Sequence, residues 1–159
     1  MKMTKIKKEK PVEQDLKEIT SDLLNRLGIE GSVGIEEGED DHFKVNIQTD
    51  ETGLLIGWHG ETLNSLQLLI GVILYKKLGK WTRLVLDVGG YRKAREESIK
   101  EMVGRIATEV ETTGSTVTLP YLTPLERRIV HLMLSDNPKV VSESLGEGRD
   151  RRVNIKLRK

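Results

Sequence analysis

Leu54-Leu55-Ile56-Gly57-Trp58-His59-Gly60-Glu61-Thr62-Leu63 is the stretch on which the first half of the chain turns. Two glycines enclose two residues, apolar residues come before them, and a helical pattern comes after. Glycine lets one backbone approach another with no Cβ between them. A helix that opens there points unpaired N–H groups outward, where a phosphate can accept from them. A nucleic-acid strand lying across the turn would place its bases on the neighbouring apolar groove. The enclosed residues, Trp58 and His59, are an indole able to stack on a base or sugar and an imidazole able to donate to a phosphate. The plainer alternative is a tight helix–helix turn that only needs Gly57 and Gly60, with Trp58 packed locally.

Upstream, Val12, Leu16, Ile19, Leu23 and Leu27 recur at three- and four-residue steps, which predicts an amphipathic helix stopped by Gly28. Two strand-like segments follow, about 32–37 and 42–48. In the second, Phe43, Val45 and Ile47 alternate with polar residues, and Gly38-Glu39-Asp40-Asp41 links the pair as a hairpin. Thr52 to Ile56 reads as a short helical turn or loop. Downstream, a long helix runs from about Glu61 to Leu78 and ends at Gly79, and Thr82 to Val88 is a dense β-type run. The predicted order is α-β-β-α-α-β.

Gly89-Gly90 marks a module boundary. A second long helix is expected over Tyr91 to Glu111, then a short extended piece at Val117 to Leu119. A helix over Leu125 to Leu134 is started by Thr123 as N-cap, Pro124 at the first position and Glu126 in the first turn. Strands at Val140 to Leu145 and Arg152 to Leu157 close the chain. Arg127 and His131 are four residues apart, so they share a helix face and present several donors in one spot. Arg128 adds charge off that face. In the last strand Val153, Ile155 and Leu157 alternate with Arg152, Lys156 and Arg158, which suggests a basic face that tracks phosphates. The plainer alternatives are a charge-protected edge strand, Arg127 paired with Glu143 or Asp150, and a satisfied, half-buried His131.

Composition narrows the function. The chain has 159 residues, 26 Lys and Arg, 25 Asp and Glu, and no cysteine. A disulfide framework and thiolate chemistry are therefore excluded, which fits a reducing cytosol. Residues 11–88 hold 7 basic and 14 acidic side chains, a net −7, whereas residues 89–159 hold 14 and 10, a net +4. A polyanion is drawn to the second half and to the lysine-rich start, and repelled by the middle. No apolar stretch follows those first lysines, so no signal peptide is expected. The run Leu66 to Leu74 is roughly half a membrane span. His42, His59 and His131 are the only histidines and have no metal spacing, and neither a G-x-S-x-G nor a P-loop occurs. No enzyme, metal or cofactor is expected.

The glycine-bracketed loop in its α-β-β-α-α-β setting resembles the GxxG loop of a type II KH domain, which clamps a single strand. Its two middle positions depart from the basic residues often found there. Arg127-Arg128-Ile129-Val130-His131, led in by Pro120 to Glu126, is similar to the signature of the R-three-H (Arg-x-x-x-His) domain. The two together resemble the Jag, or SpoIIIJ-associated (KhpB-like), family of bacteria. That resemblance implies an α+β chain of two small tandem domains: a basic flexible tail at 1–11, a KH type II domain at 12–89 and an R-three-H domain at 90–159. It implies a cytoplasmic protein that binds single-stranded RNA, or single-stranded DNA, and is linked to cell elongation, division or envelope control. The resemblance carries over the loop glycines Gly57 and Gly60 and the signature residues Arg127 and His131; Trp58, His59, Arg128, Arg152 and Lys156 are expected to join them from the reading of the residues themselves. The implied partner is a small KH-only protein or a second copy. The competing expectation is a protein–protein or dimerisation scaffold in which only the second domain binds nucleic acid.

Overall fold

A computed structural model describes residues 11–38 and 42–158. The lysine-rich start and the Glu39-Asp40-Asp41 part of the hairpin link lie outside the described residues. The elements are α1 (Pro11–Arg26), β1 (Ser32–Glu37), β2 (His42–Gln48), α2 (Thr52–Ile56), a 3-10 turn (Trp58–Gly60), α3 (Glu61–Leu78), β3 (Arg83–Val88), α4 (Tyr91–Thr113), β4 (Val117–Thr118), α5 (Pro124–Leu134), β5 (Val140–Leu145), a second 3-10 turn (Gly148–Asp150) and β6 (Arg152–Leu157). Helices and small sheets make an α+β chain. It divides into two compact units after Tyr91.

In the first unit the sheet order is β1-β2-β3. β1 and β2 are antiparallel, and β2 and β3 are parallel, joined through α2 and α3. Register explains the core. Phe43 pairs with Leu84, Val45 with Leu86 and Ile47 with Val88, so all six point to one face. Leu16, Ile19 and Leu24 of α1 and Leu63, Ile70 and Leu74 of α3 cover that face. Thr82 stands just before β3, where it is 8% exposed and its hydroxyl has no hydrogen-bond partner among the described residues. An unpaired buried hydroxyl costs about 1–3 kcal/mol. Thr82→Val keeps the shape and is expected to raise stability by about 1 kcal/mol, seen as a higher urea midpoint at unchanged slope. A lower midpoint would show that the hydroxyl is bonded in solution.

The second unit has the sheet order β4-β6-β5, all antiparallel. Ile99, Val103, Ala107 and Val110 of α4 and Val130 and Leu134 of α5 share a core with Val140, Val153 and Ile155. The start of α5 is a full capping box. Thr123 Oγ1 accepts from the Glu126 N–H (3.4 Å) and Glu126 Oε2 accepts from the Thr123 N–H (2.7 Å), with Pro124 in the first turn. The second oxygen of Glu126 accepts from Arg95 Nε of α4 at 2.7 Å.

Candidate nucleic-acid interface

The loop of the first unit is set by its backbone. Gly57 has φ 68°, His59 φ 50° and Gly60 φ 80°, so three of four consecutive residues have positive φ. A Cβ on Gly57 would stand 2.0 Å from Thr62 Oγ1, and one on Gly60 would stand 3.2 Å from the Tyr91 ring. The glycines are therefore needed for close approach as well as for φ. α3 starts directly behind them with no side-chain cap. Trp58 is 71% exposed, so it is not packed away, and its ring meets His59 edge-on at 4.6 Å.

A groove of about 340 Å³ runs along α3, beginning at Asn64, one turn into the helix. One wall is Asn64, Gln67, Leu68 and Gly71, a single helix face by spacing; the other is Trp81 to Leu84 with His42. Gln67 Oε1 accepts from the Leu86 N–H at 3.0 Å, which ties α3 to the open edge of β3.

In the second unit α5 places Arg127 and His131 on one side, as their spacing requires. Arg127 Nη1 donates to the Leu122 carbonyl at 2.8 Å. Both ring nitrogens of His131 are taken: Nδ1 lies 2.7 Å from Ser142 Oγ and Nε2 lies 2.8 Å from Ser144 Oγ. A depression of about 360 Å³ opens here, lined by Pro124, Arg127, Arg128, His131, Leu132, Ser144 and Arg151. Three guanidinium groups therefore line one hollow.

Arg152 and Lys156 stand elsewhere. Ser142 and Ser144 pair with Ile155 and Val153, on the face toward α5; alternation sends Arg152 and Lys156 to the opposite face of the sheet. Arg152 lies over the Tyr121 ring at 5.4 Å and donates to the carbonyls of Arg149 and Arg151. Lys156 is ion-paired with Glu143, and Arg158 donates to the Asn137 and Ser135 carbonyls. Glu143 is thus the partner of Lys156, not of Arg127. Arg151 and Ser144 were not singled out from sequence. Parity carries the signal for Arg151: it shares its phase with the core residues Val153 and Ile155, hence the helix side. Among the described residues no three His, Cys, Asp or Glu side chains gather to hold a metal, and no helix is long and apolar enough to cross a membrane.

The family model for the KhpA/KhpB KH domain matches residues 13–87, and that for the R-three-H domain matches residues 97–157. The chain is a protein of tandem KH and R-three-H domains. It is 31% identical over 154 residues to an RNA-binding protein KhpB of Clostridium symbiosum, covering 96% of this chain and 69% of that one. A protein of the same name from Lactiplantibacillus plantarum is 33% identical over 137 residues, 86% of this chain and 42% of the relative. Another, from Bacillus subtilis, is 31% identical over 114 residues, 70% of this chain and 55% of the relative. The chain belongs to the KhpB family, and it spans about half the length of the second and third of these relatives.

Proposed function

We propose that the chain binds single-stranded RNA through both units and carries out no reaction. The observation that carries this reading is the hollow on α5, where Arg127, Arg128 and Arg151 stand together beside Ser144. Guanidinium groups suit phosphate oxygens because they donate in a fixed fork. The GxxG turn brings a strand up to the start of α3, where the N–H groups of Gly57, Gly60 and Glu61 are bonded within the turn and a phosphate would use the others, and the α3–β3 groove has room for bases. The RNA-binding names of the relatives support the choice of ligand. In this reading Arg127, Arg128 and Arg151 meet phosphates. His131 acts as a positioning residue that holds Ser144 at the rim, and Gly57 to Gly60 seat the strand on the first unit. Arg152 and Lys156, on the far face of the sheet, give a second and weaker track.

The cellular role in this reading is post-transcriptional control tied to cell elongation, division or the envelope, in the cytoplasm. A small KH-only protein or a second copy is the partner, supported by the shared KhpA/KhpB domain model. The test is the affinity for a short single-stranded RNA across a series of salt concentrations. Three phosphate contacts predict a slope of log K against log salt of about −2. A chain that shows no binding even at low salt is a scaffold, and the proposal is lost.

A further inference from the structure

We infer that Trp81 is a stacking platform for a base, and that a bound strand leaves the α3–β3 groove over the exposed cations Lys76, Lys80 and Arg83. This rests on the RNA reading above and adds to it a residue that neither loop nor signature contains.

Four observations converge. Trp81 is 59% exposed although it forms one wall of the groove. Its ring lies against the α3 backbone at Gly71, where an added Cβ would come within 3.7 Å of the indole. It is steadied by Tyr75, whose ring centre is 6.0 Å away at 51°. The charge around it is unlike that of the rest of the unit. Of the 7 basic residues in 11–88, four (Lys76, Lys77, Lys80 and Arg83) fall within 76–83, where there is no acidic residue. Lys77 is held by Asp15 (2.7 Å) and Glu18 (3.1 Å). The other three are exposed, and among the described residues none of them is ion-paired.

An aromatic face beside unpaired cations fits a single strand, whose bases stack and whose phosphates need charge. A protein partner would be met by the exposed apolar row Leu68, Val72 and Tyr75, which borders the same groove at Leu68 and Trp81 at Tyr75. The local cations favour the polyanion. From the first turn of α3 to Gly71 the helix rises about 15 Å, a reach suited to the few nucleotides a KH unit holds. Trp58 precedes the first turn of that helix in sequence, and Trp81 stands against its backbone at Gly71. Stacking explains how an otherwise acidic unit grips a polyanion.

The chain has only two tryptophans, so Trp58→Phe leaves Trp81 as the sole indole reporter. That variant, with the rest of the chain intact, is titrated with a short single-stranded RNA, followed by its emission and by the anisotropy of a dye on the RNA. The emission is expected to be quenched saturably, with the same midpoint as the anisotropy. Trp81→Ala is expected to weaken binding about 5- to 150-fold, the range of one stacked base, and Trp81→Phe to keep most of the affinity. Lys80→Gln with Arg83→Gln is expected to lower the salt slope by about 1.4, two phosphate contacts on a single strand. Saturating anisotropy with unchanged Trp81 emission and an unweakened Trp81→Ala overturns the inference. So does a Trp81→Ala that binds RNA as before but changes the oligomeric mass, since the face would then be a protein contact. Flat anisotropy for the unaltered chain would instead remove the RNA reading, and this inference with it.

Discussion

Arg127→Ala combined with His131→Ala is expected to lower affinity for single-stranded RNA by about 100-fold, more than Gly57→Asp does. A charge-assisted hydrogen bond contributes about 1.5–3 kcal/mol. The first substitution removes one of the three guanidinium groups in the α5 hollow and the donor to the Leu122 carbonyl. The second removes the ring that both Ser142 and Ser144 hold, so the rim of the hollow loses its brace. Gly57→Asp forces a side chain into a φ of 68° and against Thr62, which distorts the loop, and it adds one negative charge, the same net change as losing Arg127, yet it removes no donor from the α5 hollow. Residues 89–159 carry a net +4 and residues 11–88 a net −7, so the heavier electrostatic share falls to the second unit. Anisotropy at one fixed salt concentration, with thermal melts to check folding, measures all three proteins. If the glycine variant alone lost binding while the double variant kept it, the division of labour would be reversed. Ser144→Ala separates the roles further: if His131 acts through Ser144, it should weaken binding without altering the salt slope, because no charge is lost.

Glu126→Ala is expected to destabilise the second unit by about 3 kcal/mol. The Glu126 side chain is 9% exposed and that of its partner Arg95 is 28% exposed. One carboxylate oxygen accepts from Arg95 Nε and the other from the Thr123 N–H, each at 2.7 Å. Removing one member of a buried pair strands the other, at about 3–5 kcal/mol, and the cap adds to that. The partial exposure of Arg95 places the figure at the low end. Glu126→Gln keeps an acceptor for Thr123 and is expected to lose only about half as much. Urea denaturation followed by circular dichroism reads both. A loss below about 1 kcal/mol for the alanine variant would mean that water takes over the contacts of Arg95.

Much of the architecture was legible because it rests on period. Phe43, Val45 and Ile47 alternate and lie on the core face; Leu63, Ile70 and Leu74 step around α3 and are buried. The cap at Thr123, Pro124 and Glu126 is a local device, and local sequence predicts it. Helix ends were less legible: α4 runs to Thr113, past the expected Glu111. The α5 hollow was half legible. Arg127, Arg128 and His131 come from one helix, but Arg151 and Ser144 reach it from strands through a register that no short window contains. The basic strand face was read from alternation alone, which says which side a residue takes and not what awaits it. Lys156 meets Glu143, and Arg158 turns to the carbonyls after α5. Trp81 went unremarked because a lone aromatic between a helix and a strand has no periodic signature.

The two serine contacts of His131 also bear on how the sheet assembles. β5 is an edge strand, flanked by β6 on one side only. Sliding it by one residue would bring Val141, Glu143 and Leu145 to the imidazole in place of Ser142 and Ser144. Neither aliphatic chain can bond the ring, and a carboxylate would be drawn inward beside the core. The imidazole thus works as a reading-frame check on the neighbouring strand, rejecting the slipped pairing that a short peripheral ribbon would otherwise tolerate.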